Sequence, residues 1–190
     1  MEVQLPTATR LTAEGPLVRS RAILADPYLR ELLQAGFPVR LSYRVELWAD
    51  GRFFDELQRS AEWEVRVVFR GVQQTYEVIQ FVGDRPLSLG KFAQLEDADA
   101  AASRPVRVPI RAPGENRRYY YLATLEVEAM SMTDLEELNR WLRGEFQPTV
   151  RGERNPGTAL GRGIRSLATR LLGGERREYI ERSPSFRPAR

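Results

Sequence analysis

From Val39 to Trp48 apolar and polar residues alternate: Val39, Leu41, Tyr43, Val45 and Leu47 against Arg40, Ser42, Arg44 and Glu46. A period of two sends successive side chains to opposite faces of a strand, so one face is buried and the other wetted. Asp50-Gly51 follows as a turn signal. The same period returns in Trp63, Val65, Val67 and Phe69. After the tight-turn pair Arg70-Gly71 it returns with Tyr76 and Val78 on one face and Ile79 and Phe81 on the other. Val106, Val108 and Ile110 form a further run, and Tyr119, Tyr121, Ala123, Leu125 and Val127 the longest. With Leu17–Leu24, these patterns predict strands near 17–24, 39–48, 62–70, 74–82, 105–111 and 118–130. Pro109 has no N–H to give a ladder, which places its strand at an edge. Leu41, Tyr43, Val45, Val67, Leu125 and Val127 are the expected core.

The helical signals are shorter. Asp26-Pro27 reads as an N-cap followed by proline at the first helical position; Leu29, Leu32 and Leu33 supply the apolar stripe and Gly36 the stop. Leu87–Ala102 has a helical spacing, with Phe92 and Leu95 three apart and alanines at 98, 101 and 102. Thr133-Asp134-Leu135-Glu136 is a capping box opening a helix to about Arg143. Beyond Gly144, Pro148, Gly152, Pro156 and Gly157 mark a linker. Residues 158–172 then read as an amphipathic helix, with Leu160, Ile164, Leu167, Ala168 and Leu171 on one face and Arg162, Arg165 and Arg170 elsewhere. Ser183–Arg190 is expected to fray. The resulting organisation is a β-rich globular domain over 1–145, a linker over 146–157, and a basic amphipathic helix and tail over 158–190. Regular alternation of strand and helix is missing. The predicted fold is therefore mainly β: an antiparallel β-sandwich-like domain with short flanking helices and a C-terminal amphipathic helix.

Composition narrows the chemistry. The 190 residues contain no cysteine and no histidine. That excludes disulfides, thiolate nucleophiles, Cys or His zinc sites and any Ser-His-Asp triad, and it removes the usual proton carrier near neutral pH. Lys91 is the one lysine, a mark of arginine-rich codon usage rather than of function. The net charge of +3 is unevenly placed: residues 1–142 hold 18 basic and 21 acidic side chains, net −3, and residues 143–190 hold 11 and 5, net +6. An acidic partner is thus to be sought at the tail. No apolar run reaches the length of a spanning helix, and residues 1–6 lack both the basic and the apolar region of a signal peptide, so a soluble chain is expected.

Four features could carry function. The tail arginines Arg162, Arg165 and Arg170 are the candidate binding residues; their helix would dock on the domain, meet a partner protein, or lie on a membrane surface through residues 158–172. Arg117-Arg118-Tyr119-Tyr120-Tyr121 sets arginine beside aromatics, but alternation separates Tyr120 from Tyr119 and Tyr121, so they form no stacking platform for bases and nucleic acid is not an expected partner. Glu96, Asp97 and Asp99, and likewise Asp55 and Glu56, are acidic clusters without the spacing of a calcium loop, and they read as solvated faces. Gly161-Arg162-Gly163 is a fragment of a phosphate loop without its third glycine or preceding strand. No catalytic residue, metal ligand or cofactor is therefore assigned. The expectation is a non-catalytic module that binds another protein. The alternative is a carboxylate- or hard-metal-dependent hydrolase whose site is built from residues distant in sequence.

The order of elements is similar to a known family. A leucine helix ending in Leu33-Gln34-Ala35-Gly36-Phe37-Pro38 precedes the strand Arg40–Trp48. Phe54-Asp55, the Trp63 strand and Gln74-Thr75-Tyr76-Glu77-Val78 follow. Over roughly Gly15 to Glu145 this resembles the uncharacterised bacterial family catalogued as domain of unknown function 4390. The resemblance implies an exported protein of the periplasm or cell envelope, although the chain shows no signal peptide; without export it would be cytoplasmic. It implies no functional residues.

Overall fold

A computed structural model describes residues 1–83, 85–113, 117–130 and 176–188. The fold is mainly β, with two antiparallel sheets and two short α-helices. In chain order the elements are β1 (Glu2–Gln4), β2 (Leu17–Arg19), α1 (Pro27–Gln34), β3 (Val39–Ala49), β4 (Glu56–Arg70), β5 (Thr75–Val82), β6 (Arg85–Phe92), α2 (Leu95–Ala102), β7 (Val106–Arg107), β8 (Tyr119–Ala129) and β9 (Arg177–Arg182). The larger sheet runs β6-β5-β4-β3-β8-β9 and the smaller β1-β2-β7. The predicted capping-box helix at 133–143, the linker and the amphipathic helix at 158–172 lie outside the described residues.

β3 is the centre of the larger sheet, paired with β4 on one side and β8 on the other. Its alternation sets the two faces. Val39, Leu41, Tyr43, Val45, Leu47 and Ala49 are buried, as are Val65 and Val67 of β4 and Tyr119, Tyr121, Ala123, Leu125 and Val127 of β8. These side chains form one apolar cluster with Val3 of β1, Val18 of β2, Leu29 and Leu33 of α1, and Leu95 and Ala98 of α2. The smaller sheet and both helices thus cover one face of the larger. On the opposite face opposite charges meet directly across the ladders, Arg40 with Glu128 and Arg44 with Glu62. Such pairs fix register more than they add stability. Beside them Val68, Ile79 and Phe81 make a small second cluster, with the Arg66 guanidinium 4.4 Å from the Phe81 ring centroid.

Local chemistry forms α1 as expected. The Asp26 carboxylate accepts from the amides of Tyr28 and Leu29, Pro27 opens the helix, and Gly36, at φ +91°, reverses the chain after it. That left-handed conformation is one glycine adopts without steric cost.

Four expectations are corrected. The segment 87–102 is not one helix: Arg85–Phe92 is a strand, and the helix begins only at Leu95. Gly90 sits at φ +134°, a backbone no helix allows, and Phe92 pairs with Tyr76 across the ladder, so sheet pairing overrides the local spacing. The strand expected at 17–24 stops at Arg19, because Ala22 takes a positive φ of 52° and turns Ile23 and Leu24 into the core. The strand expected at 105–111 keeps its alternation but holds a ladder only at Val106 and Arg107. Val108, Ile110 and Ala112 are buried, while Pro109 cannot donate; β7 lies at the edge of its sheet. Ser183–Pro188 is docked rather than frayed: Ser183, Phe186 and Pro188 are buried, and Phe186 bridges to Tyr119.

β9 is the outer strand beyond β8, in register from Leu122 opposite Arg182 to Val127 opposite Arg177. The chain then continues along β8. Ser183 N donates to Tyr121 O at 2.9 Å, and Tyr119 and Phe186 exchange both backbone hydrogen bonds at 2.9 and 2.8 Å. The Phe186 ring stacks on Tyr121, centroids 5.4 Å apart. Arg177 forms an ion pair with Asp26, joining β9 to the start of α1.

Candidate functional site

An apolar interior makes its polar exceptions informative. Among the described residues four buried side chains are polar: Ser20, Gln80, Ser103 and Ser183. Ser183 is accounted for by the fold, since its hydroxyl accepts from Tyr121 N and donates to Pro184 O. The other three converge on one place, at the end of β2 where the chain crosses the last turn of α2.

β2 brings Ser20 to that place. Its hydroxyl lies 2.7 Å from the hydroxyl of Tyr43, inside the molecule. The Tyr43 ring is stacked on Trp63, centroids 4.8 Å apart and planes within 5° of parallel. Burial pushes the Tyr43 phenol up to about 12, against a lowering by the Ser20 hydrogen bond and with a smaller upward push from the Asp99 charge. Gln80 faces inward from β5, and its side-chain oxygen accepts from the Arg104 guanidinium at 2.7 Å. Ser20, Tyr43, Trp63, Gln80 and Arg104 line an inner cavity of about 10 Å³, at the threshold for holding one water.

Outside it opens a cleft of about 400 Å³, which shares Ser20 and Arg104 with the cavity. One wall is the turn Arg19-Ser20-Arg21-Ala22; the other is the α2 face carrying Glu96, Asp99 and Ser103. The Ser103 hydroxyl is buried and finds no hydrogen-bond partner among the described residues. Asp99 fastens the walls together, its Oδ1 accepting the Leu24 amide at 2.8 Å. Glu96 lies 3.6 Å from the Arg30 guanidinium. The acids of this cluster, expected to be merely solvated, thus include a half-buried structural acceptor in Asp99. The strained backbone at Ala22 is in the same wall, where an off-region residue is held by what surrounds it.

Arg19, Arg21 and Arg104 line the cleft together with the acids Glu96 and Asp99 and the hydroxyl residues Ser20 and Ser103. Guanidinium forks match carboxylate and phosphate oxygens bidentately. No set of three or more acidic side chains among the described residues is arranged to hold a metal ion.

Apart from Glu96 and Asp99, the residues singled out in the sequence lie elsewhere or outside the described residues. Arg162, Arg165 and Arg170 are outside the described residues. Arg117 pairs with Glu56 at 3.2 Å and Arg118 with Asp50 at 3.6 Å. Tyr120 faces away from Tyr119 and Tyr121, donates to Asp55 Oδ2 at 2.7 Å, and lies beneath the Arg182 guanidinium, 3.7 Å from its ring centroid. Asp55 is therefore an acceptor for a tyrosine and for the Gly51 amide, bonds that hold its carboxyl below the usual range. Sequence reading missed Ser20, Gln80 and Ser103. A signal for two of them was present: Ser20 falls in phase with Val18, and Gln80 in phase with Tyr76 and Val78, each a polar residue on a buried phase.

No helix of the described residues is long and apolar enough to cross a membrane. No family model, no curated protein and no solved structure matches the chain.

Proposed function

We propose that the protein is a non-catalytic binding module of the bacterial cell envelope, whose α2 cleft receives a carboxylate-bearing segment of a partner protein. The observation that carries the reading is the presence of buried Ser20 and Ser103 with Arg19, Arg21 and Arg104 in the lining of one cleft, Gln80 lying in the inner cavity that shares Ser20 and Arg104 with it. A buried polar cluster costs stability unless its groups are satisfied, and an anionic chain end or acidic side chain supplies acceptors for guanidinium groups and for a hydroxyl. The non-catalytic reading is supported by the lack of histidine and cysteine and by the engagement of the cleft acids: Asp99 with the Leu24 amide, Glu96 near Arg30. The envelope placement comes from the family resemblance alone.

The test is titration of the isotopically labelled full chain with a short acidic peptide bearing a free C-terminal carboxylate. The expected result is saturable shifts of the amides of Ser20–Leu24 and Ser103–Arg104, abolished by Arg19→Ala with Arg21→Ala and weakened by salt, because exposed guanidinium contacts are screened within about 8 Å at physiological ionic strength. Shifts that never saturate, or that survive both substitutions, count against the cleft. Hydrolysis of the peptide would revive the carboxylate-hydrolase alternative.

A further inference from the structure

A second surface, far from the cleft's polar chemistry, is apolar. The β3–β4 connection at 50–55 ends in Phe53 and Phe54, whose rings are 84% and 89% exposed; Leu57, at the start of β4, is about half exposed. Two adjacent phenylalanines left in water are a standing cost that a folded chain ordinarily avoids by burial.

The tip is built rather than slack. Asp50 N donates to Arg118 O at 2.8 Å at its base. Asp55 spans the loop, accepting from Gly51 N at 3.1 Å and from the Tyr120 hydroxyl at 2.7 Å. Gly51 lies so close to Phe54 that a Cβ on it would overlap the Phe54 carbonyl oxygen, so the closed turn requires glycine there. A register shift at Leu47/Trp48 leaves Gln58 of β4, shortly after the loop, without an opposite residue, and such bulges re-aim the strands they interrupt. A bulge, a required glycine and a carboxylate bridge together hold the tip that displays the two rings.

We infer that this tip inserts into the interface of a lipid bilayer and holds the domain at a membrane surface. Two observations choose lipid over a protein pocket. Both rings, on consecutive residues of a bend, are almost wholly exposed rather than half-seated against the fold, and the fluid acyl boundary accepts such rings without imposing a shape. The charges around the tip also suit the headgroup layer: Asp50 and Glu56 are engaged by Arg118 and Arg117, Asp55 by Tyr120, and Arg52 is an exposed cation beside the rings. An arginine in that position reaches lipid phosphate while the rings sit deeper.

The test is flotation of the full chain with vesicles of phosphatidylcholine, with and without phosphatidylglycerol. The expected result is co-flotation with both, stronger with the anionic lipid. The double substitution Phe53→Ala, Phe54→Ala is expected to lower the partition coefficient about tenfold or more, since each ring loses its apolar burial. The melting temperature should stay unchanged, because neither ring belongs to the core. Arg52→Glu should remove the preference for phosphatidylglycerol and leave binding to phosphatidylcholine. Failure of the unsubstituted chain to float with either vesicle overturns the inference, as does binding that the double alanine variant retains. Loss of self-association in the variant, without vesicle binding by the parent, also overturns it and assigns the tip to a second copy. None of these outcomes depends on the cleft, so the peptide titration and the flotation fail or succeed separately.

Discussion

The hydroxyls of Ser20 and Tyr43 lie 2.7 Å apart within the core, and each is the other's hydrogen-bond partner. Tyr43→Phe removes one partner and leaves Ser20 buried and unsatisfied, at an expected cost of about 1–3 kcal/mol. Adding Ser20→Ala to Tyr43→Phe should recover part of that loss, because the orphaned hydroxyl is gone. Urea unfolding of the two single variants and the double variant measures the coupling; strictly additive losses would mean that the pair contributes nothing beyond its separate packing.

The same burial has a consequence at high pH. Burial pushes Tyr43 and Tyr121 up to about 12 from the usual value of 10.0. The folded chain therefore holds protons that the unfolded chain releases. Their contribution to stability is complete below pH 10 and is lost as the pH rises from 10 toward 12. Absorbance of the phenolate, followed against pH, should show these tyrosines ionising late and together with unfolding. Titration of all seven tyrosines of the sequence near 10, with the fold intact, would contradict the buried placement of both rings.

Much of this architecture is legible in the residues themselves. β3, and β8 from Tyr121 on, alternate cleanly, because there one face of the sheet is in the core and the other is half-buried or wet, while β4 and β5 also carry the apolar residues of the second cluster on the opposite face. The six residues named as core from that alternation are all buried. Asp26-Pro27 gives α1 its start through the cap bond that the structure shows. What escaped depends on partners distant in sequence. β6 is an exposed, bulged strand that among the described residues pairs with β5 alone, and its local hints, Pro86 and Gly90, are outweighed by the helical spacing of Phe92, Leu95 and the alanines that follow. β9 presents mostly charged residues because it lies at the sheet edge, and the docking of Phe186 depends on Tyr119 and Tyr121, more than 60 positions earlier. The cleft was hidden for a similar reason. Its two walls are joined by Asp99 and Leu24, 75 positions apart, and only the polar residues on buried phases hint at it.

At the junction of α1 and β9, Asp26 serves as N-cap and as ion-pair partner at once. Its hydrogen bond from Arg177 is the largest influence holding the carboxyl below its usual 3.8, and the amides of Leu29 and Tyr28 add to it. A depressed carboxyl stabilises the fold above its ordinary value, and the contribution fades as the pH falls below 3.8 through the lower folded value. Asp26→Ala should lower stability by about 1 kcal/mol near neutral pH from the lost cap. It should also flatten the acid limb of the stability curve relative to the parent chain. An acid limb of unchanged steepness in the variant would remove Asp26 from the account.

The strongest expectation concerns the C-terminal strand. Residues 177–182 extend the larger sheet, Ser183 satisfies the Tyr121 amide, and Phe186 closes the end of the core against Tyr119 and Tyr121. A chain ending at Glu175 gives up that ladder, uncovers two tyrosines that are fully buried, and frees Asp26 from Arg177. Its melting temperature should fall substantially, or the shortened chain should fail to fold. Phe186→Ala isolates the packing part of the effect and should cost about 3 kcal/mol, within the range for deleting a buried aromatic ring. The substitution leaves the backbone ladder in place, so amide exchange at Tyr119 and Tyr121 should quicken less in the variant than in the shortened chain. If the chain ending at Glu175 instead melts at the parent temperature, β9 is a dispensable appendage and the core closes without it.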